Sequence, residues 1–170
     1  YIRPTLPADY HLSSDLADKA ISLVGEHRKT APDQPFFLHL ALGVAHAPLQ
    51  VPARYADAYA GVYDKGWDEI RRQRFARLKD LGVIPADTAL PPANTGDRPW
   101  TALSDDEKAV FTRYMEVYAG FMQHADEQVG RVLDVLDDDT IVVLFSDNGA
   151  ASEAGQAGEF NGLYRPNTLS

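Results

Sequence analysis

"TIVVLFSDNGA" at residues 140–150 joins an apolar run to a short polar turn. The run at 140–146 has the length and the β-branched content of a strand that is buried on both faces. Its end allows two interpretations. Asn-Gly is a strong hairpin signal, whereas Asp147 and Asn148 offer the oxygen ligands that Ca²⁺ or Mg²⁺ prefers. The surrounding residues decide between these interpretations.

A hairpin at this point lacks a second strand. The residues that follow, "AASEAGQAGEFNG" at 150–162, contain no strand-like apolar run. The sequence therefore favours a chain that leaves the carboxyl end of a parallel strand, which is where doubly wound sheets bind their ligands. Taken alone the metal signal is weak, because a divalent ion needs at least two more carboxylates from elsewhere.

A second apolar run, "FFLHLALG" at 36–43, is also predicted to be a buried strand. His46 follows three residues later, and parallel strands end at the same edge of a sheet. We therefore expect His46 to lie near Asp147, although a structural hydrogen bond is the other interpretation of a lone histidine in a loop. His39, inside the run, and His124, in a helical segment, are expected to serve packing.

Three segments carry helical periodicity together with helix-end signals. They cover residues 13–29, 66–81 and 104–136. Ser13 or Ser14 is the expected cap of the first, and Gly82 is the expected stop of the second. In the third, Ser104 and Glu107 form a capping-box pattern.

The order of these segments predicts an α/β fold. Helix, strand, excursion, long helix and strand follow one another, which is typical of a three-layer α/β/α arrangement with a largely parallel sheet. Residues 55–103 differ in composition and pattern from the flanking segments and are predicted to be a helical and irregular excursion from the core. The length of 170 residues suits one domain.

Composition excludes several classes of function. A formal charge of −9 and a pI near 4.9 argue against nucleic acid as a partner, and the basic cluster at 71–79 is interpreted as a solvated helix face. No window approaches the 18–20 apolar residues of a membrane span. The absence of cysteine excludes disulfides and thiolate sites within these residues but does not indicate a compartment. Because the sequence begins at Tyr1 without an initiator Met, we expect an internal piece of a longer protein. The oligomeric state stays open.

Four stretches together resemble the middle of a bacterial arylsulfatase. The resemblance covers about residues 10–161 in family order. The stretches are "PFFLHLALGVAHAPLQVP" at 35–52, "YDKGWDEIRRQRFARLKDLGVIPADTALPP" at 63–92, "RYMEVYAGFMQHADEQVGRVLD" at 113–134 and "IVVLFSDNGA" at 141–150. The second of these is similar to the excursion of one arylsulfatase branch, which makes the resemblance more specific than "SDNG" alone.

The resemblance implies a type I, formylglycine-dependent sulfatase with an alkaline-phosphatase-like fold. It implies that Asp147 and Asn148 are Ca²⁺ ligands, with the remaining ligands outside this chain. It further implies that His46 contacts a small-molecule sulfate ester and helps to protonate the departing phenolate. The reaction would convert an aryl sulfate into a phenol and sulfate, which requires both a cation and a proton donor.

The chain departs from the family pattern in one decisive respect. Formylglycine is made from the Cys or Ser of a C/S-x-P-x-R motif, and residues 1–170 contain no such motif. We therefore expect this part of the catalytic domain to be inactive by itself. Two alternatives stay open: a phosphomonoester or phosphonate-ester hydrolase of the same superfamily, and a non-enzymatic calcium-binding or interaction module.

Overall fold

The structure is a computed structural model that describes residues 5–149. Within that range the regular elements are four α-helices and one turn of 3₁₀-helix, at Trp100–Ala102. The α-helices are α1 (Leu12–Thr30), α2 (Ala53–Asp57), α3 (Gly66–Asp80) and α4 (Asp105–Leu133). No helix in this range is both long and apolar enough to cross a membrane.

Helix α1 confirms the segment predicted at 13–29, but its cap differs from the prediction. The N-cap is His11, whose ring Nδ1 accepts the backbone N–H of Ser13. Ser13 is buried, and Ser14 lies inside the helix with its hydroxyl 3.2 Å from His124. The prediction that Ser13 or Ser14 caps the helix was wrong, because a ring nitrogen just upstream supplies the acceptor and the helix starts earlier.

Helices α3 and α4 begin and end close to the predicted positions. In α4 the capping box is complete: the Ser104 hydroxyl accepts the Glu107 N–H, and Glu107 accepts the Ser104 N–H at 2.9 Å. Gly82 follows α3 with φ of +68°, a left-handed conformation that glycine adopts at little steric cost. The two helical segments, the capping box and the stop at Gly82 are thus confirmed. Helix α4 ends at Leu133, three residues before the predicted end.

Helix α4 is the element on which the other helices pack. On one side Ala17 and Ala20 of α1 form a small core with Val132. On another side α2 crosses so closely at Gly120 that an added Cβ would lie 2.6 Å from the Tyr55 carbonyl carbon. Only a residue without a side chain allows this approach of two backbones. The small residues therefore set the spacing of this helical layer.

Aromatic side chains of the segment that is predicted to be an excursion pack on the first half of α4. Trp67 of α3 makes edge contacts with Trp100 and Phe111, at ring-centroid distances of 4.9 and 5.5 Å. Gly66 is needed at the start of α3, because it has φ of +76° and a Cβ there would lie 2.1 Å from the Trp100 ring. The division of the chain into a core and an excursion at 55–103 stays a prediction.

The apolar segment at 36–43 is not a strand in the described range. Its side chains nevertheless alternate: Leu38 and Leu40 are half-buried against the α1/α4 core, whereas Phe37 is 94% exposed. This period of two is that of an extended chain with one face on a helical layer. The predicted burial on both faces is corrected to burial on one, because described residues cover only one face.

The segment at 140–146 is likewise not a strand within residues 5–149. It is exposed along most of its length, with Ile141 91% and Leu144 79% exposed. A strand is defined by hydrogen bonds to a neighbouring strand, and the two apolar segments do not pair with each other in the described residues. The largely parallel sheet and the α/β/α layering therefore stay predictions.

Candidate functional site

His46 lies in the loop that follows the first apolar segment, with its side chain exposed. Its backbone N–H donates to the Gly43 carbonyl at 3.1 Å, and its ring Nδ1 lies 2.6 Å from the Ala47 carbonyl oxygen. Because a carbonyl oxygen can only accept, Nδ1 carries a proton. This leaves Nε2, which has no hydrogen-bond partner in the described part of the chain, as the ring nitrogen without a contact.

Asp147 and Asn148 lie in the turn that follows the second apolar segment. The Ser146 hydroxyl donates to the Asn148 carbonyl, and the Asn148 amide nitrogen donates to the Gly149 carbonyl, both at 2.6 Å. With its nitrogen so engaged, Asn148 keeps its side-chain oxygen available. Asp147 makes no hydrogen bond or ion pair with another described residue, so its carboxylate is available as well.

This donor set fits one part of a calcium site. A carboxylate and an amide oxygen are hard ligands of the kind that Ca²⁺ prefers, but the ion takes 6–8 oxygens. Within residues 5–149 no three His, Asp or Glu side chains are grouped closely enough to hold a metal ion. Asp147 and Asn148 are therefore two candidate ligands that need others to complete the site.

The structure brings His46, Asp147 and Asn148 to the border of one concavity. It measures about 3060 Å³ and is lined by the two apolar segments together with faces of α3 and α4. This volume exceeds the roughly 300–1,000 Å³ of a typical small-molecule pocket. The concavity is thus a wide trough that the candidate residues share, and it does not by itself define a substrate pocket.

Of the two histidines that were predicted to serve packing, one prediction is correct and one is wrong. His124 is 3% exposed in the interior face of α4, which confirms that it serves packing. His39 is exposed, so its predicted packing role was wrong, because it lies on the uncovered face of its segment. No pattern in the sequence assigns a role to His11, which in the structure contacts both His124 and the loop that carries His46.

Comparison with known proteins identifies the family. The chain matches the sulfatase family over residues 1–169. The chain belongs to the sulfatase family. This confirms the resemblance on which the site residues were chosen, and the family has an alkaline-phosphatase-like fold.

Two curated relatives of this sulfatase chain have similar identities. It is 35% identical over 158 residues to an arylsulfatase of Klebsiella aerogenes, which covers 90% of the chain and 33% of that protein. It is 36% identical over 155 residues to an uncharacterised sulfatase of Schizosaccharomyces pombe, which covers 88% of the chain and 27% of that protein. The sulfatase chain thus spans a third or less of the length of these relatives.

Proposed function

We propose that this sulfatase chain is part of an enzyme that hydrolyses aryl sulfate monoesters to a phenol and sulfate. The observation that carries the proposal is the sulfatase match over residues 1–169. The relative named an arylsulfatase supports the aryl specificity. His46, Asp147 and Asn148 at the border of one trough supply chemistry that suits this reaction.

His46 acts as the proton donor to the leaving oxygen. A phenolate is a poor leaving group unless its oxygen gains a proton or a positive partner as the ester bond breaks. The Ala47 carbonyl holds the ring through Nδ1, which leaves the second N–H of the protonated imidazole, on Nε2, free to donate to the leaving oxygen. This orientation leaves the reactive nitrogen accessible while the other fixes the ring.

Asp147 and Asn148 supply part of the ligand set of a Ca²⁺ ion. The bound ion supplies positive charge for the non-bridging oxygens of the sulfate group. Within this chain the ligands would be the Asp147 carboxylate and the side-chain oxygen of Asn148, whose nitrogen is already engaged by the Gly149 carbonyl. The remaining ligands and the formylglycine nucleophile lie outside residues 1–170 in this proposal.

Variants of the intact protein test the two roles. His46→Ala is expected to lower kcat by about 10²- to 10⁴-fold, the usual contribution of general acid catalysis. The loss should be larger for phenyl sulfate than for 4-nitrophenyl sulfate, because the more basic phenolate needs the proton more. Asp147→Ala should lower turnover and also raise the calcium concentration needed for half-maximal activity.

Matched controls come from the same surroundings. His39→Ala removes an exposed histidine that lines the same trough, and Asp139→Ala removes an exposed carboxylate that also lines it; both should retain activity. Unchanged kinetics in His46→Ala and Asp147→Ala would remove these residues from the site. Preferential turnover of 4-nitrophenyl phosphate by the wild-type protein would replace the sulfatase proposal with the phosphomonoesterase alternative.

A further inference from the structure

Two histidines that the proposed reaction does not use lie in contact where α1, α2 and α4 meet. The rings of His11 and His124 have their centroids 4.0 Å apart. The Phe121 ring contacts His11 edge-on at 6.0 Å, and the Tyr55 ring contacts His124 at 5.1 Å. Because His124 is buried in the face of α4, its ring and that of Phe121 form a fixed surface against which His11 rests.

The hydrogen bonds of His11 define which nitrogen carries its proton. Nδ1 lies 3.2 Å from the Ser13 backbone nitrogen. A backbone N–H can only donate, so Nδ1 is the acceptor and carries no proton. The neutral ring therefore has its proton on Nε2, which donates to the Gln50 carbonyl oxygen at 2.8 Å. One ring thus joins the start of α1 to a residue 39 positions further along the chain.

Gln50 belongs to the loop that carries His46. Among the hydrogen bonds of the described residues, the one from His11 is the only one that joins the loop at 44–51 to a distant part of the chain. The loop is followed by α2, whose backbone is held on α4 at Gly120. The loop that carries His46 is therefore held by its own apolar segment on one side, and by the hydrogen bond at Gln50 and by α2 on the other.

We propose that His11 is a positioning residue, which sets the place of His46 in the trough through its hydrogen bond to the Gln50 carbonyl. The inference rests on the proposed role of His46 as proton donor. Its physical basis is that a proton donor must lie within hydrogen-bond reach of the leaving oxygen, so a shift of about 1 Å in the loop lowers the rate by up to about 10²-fold.

The simpler role for His11 is to cap α1, and one substitution separates the two roles. His11→Asn keeps a side-chain oxygen that accepts the N–H at the start of the helix, since Asn is among the best N-cap residues. Its shorter side chain does not reach the Gln50 carbonyl while it caps the helix. A capping role predicts an unchanged protein, whereas a positioning role predicts a loosened loop on an intact helix.

Amide hydrogen exchange of the intact protein measures this difference directly. In His11→Asn, exchange should become faster in peptides from residues 44–51 and stay the same in peptides from α1. Equal exchange of the loop in variant and wild type would overturn the tether. Faster exchange in α1 as well would show that the loop loosens together with the start of the helix, and this too would overturn a tether that acts on an intact helix.

Kinetics of the same variant test the link to His46. With phenyl sulfate, His11→Asn should lower kcat by about tenfold and change KM less, and the loss should be smaller with 4-nitrophenyl sulfate. Combined with His46→Ala it should cause no further loss, because two residues that act through one contact are not additive. Fully additive losses would overturn the inference while leaving the proposed function intact.

Failure of the proposed function has a different outcome. If the intact wild-type protein, supplied with calcium, turns over no aryl sulfate, the role of His46 fails and the catalytic part of this inference fails with it. Hydrogen exchange of residues 44–51 still decides whether His11 tethers the loop.

Discussion

At the residue scale, His124 is the most deeply buried titratable side chain of residues 5–149, with 3% of its surface exposed. Burial lowers its pKa, because the charged imidazolium loses hydration. The neighbouring His11 ring and Arg54 lower the pKa further, and the carboxylate of Glu127 opposes them. Tyr55 faces it as well, and its hydroxyl donates to Glu127 at 2.5 Å. Among the described residues the buried Nδ1 of His124 has no hydrogen-bond partner, which also favours the neutral ring.

This depressed pKa makes stability depend on pH. The unfolded chain binds a proton at His124 at a higher pH than the folded chain does, so the free energy of unfolding falls as the pH falls through the ordinary histidine range near about 6.5. Urea unfolding between about pH 5 and 8 should show this slope in the wild type and less of it in His124→Gln. The exposed His39→Gln is the control, and equal slopes in all three proteins would contradict the prediction.

The titration of carboxylates does not contribute to the pH dependence of stability in this window. Asp15, Glu107 and Glu127 have lowered pKa values because the Lys19 ammonium, the Ser104 backbone N–H and the Tyr55 hydroxyl, respectively, stabilise their charged forms. Their contributions to stability are present above about pH 4.5 and are lost only below it. The window from about pH 5 to 8 therefore reports mainly on histidine.

At the element scale, the crossing of α2 on α4 connects packing to the candidate site. The crossing depends on Gly120, where an added Cβ would lie 2.6 to 2.8 Å from backbone atoms of Tyr55 and Ala56. Backbone atoms cannot move aside as a flexible side chain does. A displaced α2 would also move the end of the loop at 44–51. Both the stability of the fold and the position of His46 therefore depend on this contact.

Two glycines of α4 form a matched pair for this contact. Gly120→Ala is expected to lower the free energy of unfolding by about 1–3 kcal/mol, the usual effect of overpacking. Gly130→Ala meets no atom within 4 Å and should raise it by up to about 1 kcal/mol, because Ala favours a helix. Chemical denaturation midpoints measure both effects. Equal shifts of the same sign would show that helix propensity, not the crossing, decides the outcome.

At the scale of the whole molecule, the chain holds only part of the proposed catalytic centre. It contains a histidine and two oxygen ligands but no C/S-x-P-x-R motif, and no group of three metal-binding side chains occurs within residues 5–149. The apolar side chains at 141–145 are exposed, and no strand of the described residues pairs with this segment. The proposed activity therefore belongs to a larger unit than these residues.

The purified 170-residue chain is accordingly expected to show no turnover of phenyl or 4-nitrophenyl sulfate. It should bind calcium only weakly by calorimetry, because two ligands replace few of the 6–8 oxygens that the ion takes. The intact protein is the positive control in both measurements. Turnover by the chain would show that the nucleophile lies inside it, and tight calcium binding would favour the non-enzymatic calcium-binding module.

The sequence predicted what local signals encode. The capping box at Ser104, the stop at Gly82 and the periodicity of α1, α3 and α4 act within a few residues, so the helices were predicted nearly to their ends. His46, Asp147 and Asn148 were chosen from family motifs, and the structure places them at one trough without testing their roles. The two strands were predicted from composition, but a strand forms only when another strand pairs with it.

By itself, the sequence determined the three longer helices α1, α3 and α4, the sulfatase family and the candidate site residues, because caps, periodicity and motifs are local, whereas the short helix α2 was not predicted. Only the tertiary structure decided that His11 rests on His124 and holds Gln50, and that Gly120 must lack a side chain. The reason is distance along the chain. Ser14 and His124 meet across 110 residues, and contacts of that kind exist only once the helices have packed.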